Sequence, residues 1–278
     1  MITSRSNEKI KEIVRLSKDA SARREAGLYI VEGPRMVSEV PPELLSEVFV
    51  SEGFLKNAGS AGISGAMPSV GSASISGAMP SVGSAGISES MLNVTSDEVF
   101  LKISSTKSPQ GILALVKMQE HRLSDIAGGK GPVLILEGIQ DPGNLGTMFR
   151  SGEAAGISGI IADKSCVDAF NPKVVRSTMG AIFRVPYMVA DNLGATISEI
   201  KNLGHAVYAA HLDGEDFFDE KLPDKCAFLV GNEGAGLSAE IAATANRKVR
   251  IPMQGEVESL NAAVSASLLT YEWFRQHR

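Results

Sequence analysis

From residue 132 to the C-terminus, short apolar runs alternate with helix-like stretches, and this alternation constrains the fold more than any other feature. VLIL (133–136), GIIA (159–162), AVYAA (206–210), CAFLV (226–230) and KVRIPM (248–253) read as strands, and FRVPYMV is strand-like. Helical stretches lie between them: about 144–155, Asn171-Pro172 through Met179, 192–203, a short one from Ser238, and a long one starting at Ser259. Asn is a good helix cap, and Pro is tolerated at the first helical position. Such alternation predicts an α/β fold, a mostly parallel sheet with helices on both faces. The carboxyl ends of its strands would share one edge, where ligand sites form.

Three polar clusters punctuate this pattern. Asn144-Leu145-Gly146-Thr147-Met148-Phe149-Arg150 and Gly231-Asn232-Glu233-Gly234-Ala235-Gly236 follow apolar strand-like runs, and Ser259-Leu260-Asn261 opens the last helix. Core packing does not require Asn, Arg, Glu and Ser at loop mouths. GNEGAG lacks the GxGxxG order of a dinucleotide loop and the Lys-Ser/Thr of a P-loop. Its glycines permit a tight turn, and the carboxylate of Glu233 suits a cationic or hydroxyl-bearing ligand better than a phosphate. Read locally, Asn144 can cap its helix and Arg150 can pair with Glu153 at i+3. Read together with Gly143 and Gly146, Asn144 and Arg150 resemble a phosphate or ribose grip, because a guanidinium binds phosphate at two points.

The chain of 278 residues is long enough for two domains. Residues 1–118 form a smaller α/β unit with strand-like LYIVEG, EVFVSE and GILALVKM, and 119–131, ending in GGKGP, read as a linker to a second domain at 132–278. Residues 59–88 repeat a twelve-residue unit, GSAGISGAMPSV then GSASISGAMPSV, and read as a low-complexity, flexible insertion. Residues 1–24 carry seven basic groups against three acidic ones, with Ile10, Ile13, Val14 and Leu16 as an apolar stripe. This is an amphipathic basic helix. Candidate phosphate contacts are Lys9, Lys11 and Arg15 there, Arg35 after the LYIVEG strand, and Lys173 and Arg176 on the helix opened by Asn171. A formal charge of −5 argues against indiscriminate nucleic-acid binding but leaves room for a local basic face. The two cysteines read as reduced thiols, the four histidines have no metal-ligand spacing, and no run of 18 apolar residues occurs. These features predict a cytoplasmic protein with no metal and no membrane partner.

LEGIQDPGNLGTMFRSGEAAG, FLVGNEGAGLS and IPMQGEVESLNAAVSASLL, in this order, resemble the three motifs of the SpoU (TrmH-like) branch of the SPOUT RNA methyltransferases. NPKVVRSTMGA is similar to the segment between the first two motifs, and YIVEGPRMV with SSTKSPQGILALVKM resembles the family's N-terminal RNA substrate-binding domain. The resemblance covers 132–276 and, more loosely, the N-terminal unit. The repeat has no counterpart in it. It implies a homodimeric, S-adenosylmethionine-dependent ribose 2′-O-methyltransferase with a trefoil-knotted C-terminal segment and an active site at the subunit interface. Ribosomal RNA is the preferred substrate and transfer RNA the alternative. A non-catalytic RNA-binding module on the same fold is the competing reading. Carried over, the catalytic set is Asn144, Arg150, Glu233, Ser259 and Asn261. The cofactor would lie against Gly231, Asn232, Ile251, Met253 and Leu260. Arg150 either clamps phosphate and oxyanion or, helped by a substrate phosphate, activates the hydroxyl.

Overall fold

The computed structural model describes residues 1–60 and 88–278. The repeat expected as an insertion therefore lies outside the described residues, apart from Gly59, Ser60 and Ser88.

The chain begins with α1 (Glu8–Lys18) and α2 (Ala20–Ala26), then β1 (Leu28–Glu32), α3 (Pro34–Ser38), β2 (Leu45–Ser51) and α4 (Glu52–Ser60). It continues with β3 (Leu92–Thr95), α5 (Asp97–Ile103), β4 (Ile112–Lys117) and α6 (Leu123–Ala127). The second half runs β5 (Val133–Leu136), α7 (Pro142–Ala155), β6 (Gly159–Ala162), α8 (Pro172–Thr178), β7 (Tyr187–Val189) and α9 (Leu193–Asn202). It closes with β8 (Ala206–Asp216), β9 (Cys226–Val230), α10 (Ala239–Thr244), β10 (Arg247–Arg250) and α11 (Ala262–His277).

Two compact units result. The first comprises Met1–Gln119 and Phe170–Phe183, and the second Glu120–Ala169 and Arg184–Arg278. The first unit has a mixed sheet, β1-β4-β2-β3, in which β4 runs antiparallel to both β1 and β2 while β2 and β3 are parallel. Ile10, Ile13 and Leu16 of α1 pack with Phe49, Phe100, Leu113 and Leu115 in its core. Each such side chain contributes about 1.5–3 kcal/mol on burial. The expected single helix over 1–24 is two helices. Asp19 breaks it: its backbone is extended, and its carboxylate accepts a hydrogen bond from Ser21 N as the cap of α2.

The segment Phe170–Phe183, expected in the C-terminal domain, groups with the first unit. Pro172, Val174, Val175 and Thr178 of α8 are buried, α8 packs on β1, and the rings of Phe170 and Tyr29 lie 4.8 Å apart. Its apolar face thus finds its cover on β1.

The second unit is a six-stranded sheet, β10-β8-β9-β5-β6-β7, with every neighbouring pair parallel. The central strands β5 and β9 are buried throughout, as strands covered on both faces must be. The expected linker at 119–131 contains α6, and Ile126 of α6 is fully buried with Ile135, Ile161 and Val207. Its Leu-Ile-Ala side chains complete the second core, and the stretch from Glu120 onward groups with that unit. No helix among the described residues is long and apolar enough to cross a membrane.

Candidate active site

The site grows from the carboxyl ends of β5 and β9 and the start of α11. After β9, Gly231–Gly236 folds into a tight loop closed by Asn232 N to Gly236 O at 3.0 Å and Gly236 N to Asn232 O at 2.9 Å. A Cβ at Gly231 would lie 2.2 Å from the carbonyl carbon of Gly236, and Gly236 itself has φ +70°. Gly231 has no room for a side chain, and the positive φ at Gly236 favours glycine. The Asn232 side chain ties the loop together. Its amide donates to Gly138 O at 2.7 Å, and its carbonyl accepts from Gly234 N and Ala235 N at 2.9 and 3.0 Å. The Asn232 side chain is therefore a brace within the loop. Glu137, just after β5, accepts from Ser238 N and Oγ at 2.8 and 2.7 Å and pins the far end.

Glu233, Asn144 and Asn261 form one hydrogen-bonded chain. Glu233 accepts from Gln140 N at 3.2 Å, Asp141 N at 3.1 Å and Asn144 Nδ2 at 2.9 Å. Asn144 Oδ1 in turn accepts from Asn261 Nδ2 at 2.9 Å. Asn261 Oδ1 then accepts from Ala263 N at 2.9 Å and Val264 N at 3.3 Å, capping α11. All three sequence clusters are thus wired together. Burial raises the Glu233 pKa, but the bonds from Asn144 and from the backbone of Glu233, Asp141 and Gln140 outweigh it, so the carboxyl sits below its ordinary value. An ionised carboxylate already accepting several bonds is a poor general base and a good anchor.

Three local expectations change. The cap of α7 is Asp141, whose carboxylate accepts from Asn144 N at 2.9 Å, which places Asn144 inside the first turn and frees its amide. α11 starts at Ala262 with Asn261 as its cap, so Ser259 stays in the preceding loop. Glu153 pairs with Arg184, not with Arg150. The Arg150 side chain is exposed and has no hydrogen bond or ion pair among the described residues. It lies six residues beyond Asn144, about 120° round the helix.

A cavity of ≈ 400 Å³ opens at this edge, lined by Gly231, Asn232, Glu233, Ile251, Met253, Ser259 and Leu260. Asn144, Arg150 and Asn261 are not in its lining. The size falls within the roughly 300–1,000 Å³ range of small-molecule sites. Apolar Val230, Leu237, Ile251, Met253 and Leu260 suit a purine and a thioether-like chain, while Glu233 and Glu258 offer negative charge to a sulfonium or ammonium group. The donor set fits S-adenosylmethionine.

The lining also contains residues that sequence reasoning missed: His211, Leu212, Asp213 and Arg250. Against β10, the register of β8 jumps from Ala209 to Glu215, so Ala210–Gly214 is looped out. Gly214 permits this, because a Cβ there would lie 2.4 Å from Val249 backbone. His211 Nδ1 accepts from Asp213 N at 3.1 Å, which fixes its proton on Nε2. The strand-end rule applied to AVYAA was the available signal.

The expected phosphate contacts divide into two groups. Lys9 pairs with Glu47, Lys11 with Glu8 at 2.6 Å, and Arg15 with Glu25, while Arg35 faces Glu39 at 3.8 Å. Arg23, counted among the basic face, is buried and donates to Leu16 O at 2.6 Å. Lys173 and Arg176 are exposed on α8, and neither has a carboxylate partner among the described residues.

A parallel sheet whose three loop motifs are hydrogen-bonded together beside a cavity that fits an adenosyl ligand, in a chain that also carries a separate small α/β unit, defines an RNA methyltransferase of the SPOUT type. Residues 131–271 match the model of the SpoU rRNA methylase family, and residues 7–114 match the MRM3-like substrate binding domain. The chain belongs to the SpoU rRNA methylase family. It is 31% identical over 273 residues, 97% of each chain, to the 23S rRNA (guanosine(2553)-2′-O)-methyltransferase RlmP of Bacillus subtilis. An AdoMet-bound rRNA methyltransferase from Sinorhizobium meliloti superposes with a TM-score of 0.78 at 27% identity, covering 99% of this chain and 97% of that one. A TrmH-family RNA methyltransferase from Porphyromonas gingivalis gives a TM-score of 0.76 at 28% identity over 98% of both chains.

Proposed function

We propose that this protein transfers the methyl group of S-adenosylmethionine to a ribose 2′-hydroxyl of ribosomal RNA. The observation that carries the reading is the hydrogen-bonded chain Glu233–Asn144–Asn261 beside the cavity, with the full-length likeness to an enzyme of large-subunit rRNA. That likeness spans both units, which favours ribosomal over transfer RNA. We place the activity in the cytoplasm. The reading also keeps the knot that the resemblance implies for the C-terminal segment.

When bound, S-adenosylmethionine supplies an electrophilic methyl group on a sulfonium. Gly231–Gly236, Ile251, Met253 and Leu260, which line the cavity, would hold it. Glu233, fixed as the carboxylate, orients Asn144, and Asn144 orients Asn261 at the head of α11. Ser259 and Asn261 position the ribose. Arg150 clamps a substrate phosphate beside the hydroxyl and stabilises the negative charge that builds on its oxygen, while the proton passes to that phosphate or to solvent. Much of the acceleration comes from alignment of hydroxyl, methyl and sulfonium.

A homodimer is part of the proposal, because Arg150 is exposed and lies off the cavity in its own chain. α11 packs beside α7 and exposes Val264, Tyr271 and Phe274, an apolar stripe suited to a second copy. The experiment co-expresses two inactive variants, Arg150→Ala and a cofactor-loop variant, Gly231→Glu. Recovery of 2′-O-methylation in the mixed dimer supports a shared site. Full activity of Arg150→Ala alone, or a wild-type chain that leaves ribosomal RNA unmethylated, sinks the reading.

A further inference from the structure

The first unit presents a cationic surface built from two distant stretches of chain, and a half-buried carboxylate holds it in shape. Glu32 ends β1. It accepts from Ser104 Oγ, from Ser105 N at 2.9 Å, from Ser105 Oγ at 2.8 Å and from Thr106 Oγ1 at 3.0 Å. One carboxylate thus binds three consecutive residues of the loop between α5 and β4. Gly33 follows with φ +100°, and a Cβ there would meet Gln110 Oε1 at 2.9 Å, so the two loops are closely fitted. Ser105 also accepts from Arg176 of α8, NH1 to Oγ, at 3.3 Å. The relay runs from Arg176 to Ser105 to Glu32.

α8 buries Pro172, Val174, Val175 and Thr178 and leaves Lys173 and Arg176 in solvent. These two are three residues apart and share a helix face. Arg176 uses one of its five N–H donors on Ser105, so the remaining ones are free. Lys107, two residues beyond Ser105, is exposed as well, and neither its side chain nor that of Lys173 has a partner among the described residues. The nearest carboxylate in this relay, Glu32, is already satisfied by its hydroxyl and amide donors. The basic helix α1 differs: Lys9, Lys11 and Arg15 each hold a carboxylate.

We propose that Lys107, Lys173 and Arg176, on the scaffold of Ser105 and Glu32, bind the phosphodiester backbone of the RNA substrate. The proposal rests on the reading of the chain as an RNA methyltransferase and goes beyond it. It locates the main backbone grip on a face that the N-terminal domain does not complete alone, since α8 comes from the sequence of the methylase half. Arg176 makes a two-point contact with a phosphate, held at the right angle by Ser105. Lys107 and Lys173 add point charges. Glu32 is a positioning residue, and its own negative charge works against the RNA.

The test uses the full-length chain and in-vitro-transcribed large-subunit ribosomal RNA, with binding measured across a salt titration. Reversing Lys107, Lys173 and Arg176 to Glu, all exposed positions, is expected to weaken binding more than about tenfold and to lower the salt slope by about 2. S-adenosylmethionine affinity stays unchanged. The same reversal of Lys9, Lys11 and Arg15 is expected to lower the slope by less. Glu32→Gln separates positioning from charge. Removing a negative charge by itself strengthens RNA binding, whereas loosening the Ser104–Thr106 loop weakens it, and weaker binding is expected. Unchanged affinity and slope in the Lys107/Lys173/Arg176 variant, with a large loss in the α1 variant, overturns the proposal. Stronger binding by Glu32→Gln overturns the positioning role. A wild-type chain that methylates no ribosomal RNA shows instead that the underlying reading has failed.

Discussion

Two loops face each other across the cavity, and they are built in opposite ways. Gly231–Leu237 is fastened by Asn232 to Gly138, by its own cross-loop bonds, by Glu233 to α7 and, just beyond, by Glu137 to Ser238. Ile251–Leu260 makes no hydrogen bond to any other described residue, and Gln254 to Ser259 are exposed. One wall of the site exists before any ligand arrives. The other leaves its backbone donors and acceptors open to a ligand, a substrate or a second copy. The difference teaches that affinity and specificity can be divided: a preformed wall costs little entropy on binding, while an unbonded wall spends some of the contact energy on ordering.

Variants can break or sharpen this contrast. The largest effect is expected outside both loops, as their reference. Arg150→Lys should lower the methylation rate by about 10²–10³-fold, in the range of a lost oxyanion donor. S-adenosylmethionine affinity, read by calorimetry, should stay within about twofold, because Arg150 lies off the cavity. Near-normal turnover of this variant would remove Arg150 from the chemistry.

Next come paired glycine substitutions. Gly231→Ala drives a Cβ to 2.2 Å from the Gly236 carbonyl carbon, whereas a Cβ at Gly255 meets nothing within 4 Å. Gly231→Ala is expected to cost about 1–3 kcal/mol of strain and tenfold or more in cofactor affinity. Gly255→Ala should be nearly neutral in both. Equal effects on cofactor binding would erase the distinction between the walls.

Hydrogen exchange reads the same contrast directly. Cofactor should strongly protect amides of residues 251–261 and add little protection at 231–238, which is already bonded. Uniform protection of both segments would show that the second wall is ordered beforehand.

A smaller effect belongs to Glu233. Its pKa is lowered in the folded chain, so the stability it contributes is fully present above the unfolded value, about 4.3, and disappears as pH falls through the lower folded value. Glu233→Gln is expected to cost about 1 kcal/mol at neutral pH. The melting temperatures of the two proteins should converge in acid. A gap that widens on acidification contradicts the assignment. Smallest of all, Lys11→Ala removes an exposed pair with Glu8 and should change stability by at most about 1 kcal/mol.

The sheet of the second unit was legible because strands buried on both faces read as unbroken apolar runs, as VLIL and CAFLV do. The three motifs were legible because polar residues stood where apolar packing asks for none. The wiring among them was not. Asp141 looks no more like a cap than Asn144 does, and only the loop from β5 decides which carbonyl or carboxylate reaches the first helical amides. Arg23 counted as part of a basic face, yet it is buried on the Leu16 carbonyl, a tertiary partner that helical spacing cannot reveal. The looped-out Ala210–Gly214 escaped notice because AVYAA looked like a complete strand, and Gly214 reads as an ordinary turn residue until Val249 is known to press against it. α6 was hidden by flanking glycines that read as a linker.

The membership of Phe170–Phe183 in the first unit bears on how the chain is made. A ribosome releases β1 to β4 long before α8, so the N-terminal unit emerges with the surface around Tyr29 still uncovered. At roughly 5–20 residues per second, the missing helix follows only after on the order of several seconds. During that interval an apolar face stays open to chaperones or to other nascent chains, and the unit reaches its final form after part of the second sheet has already been synthesised. A fragment cut at residue 118 would be frozen in that unfinished state, and domain-dissection experiments on such a fragment would report on a folding intermediate.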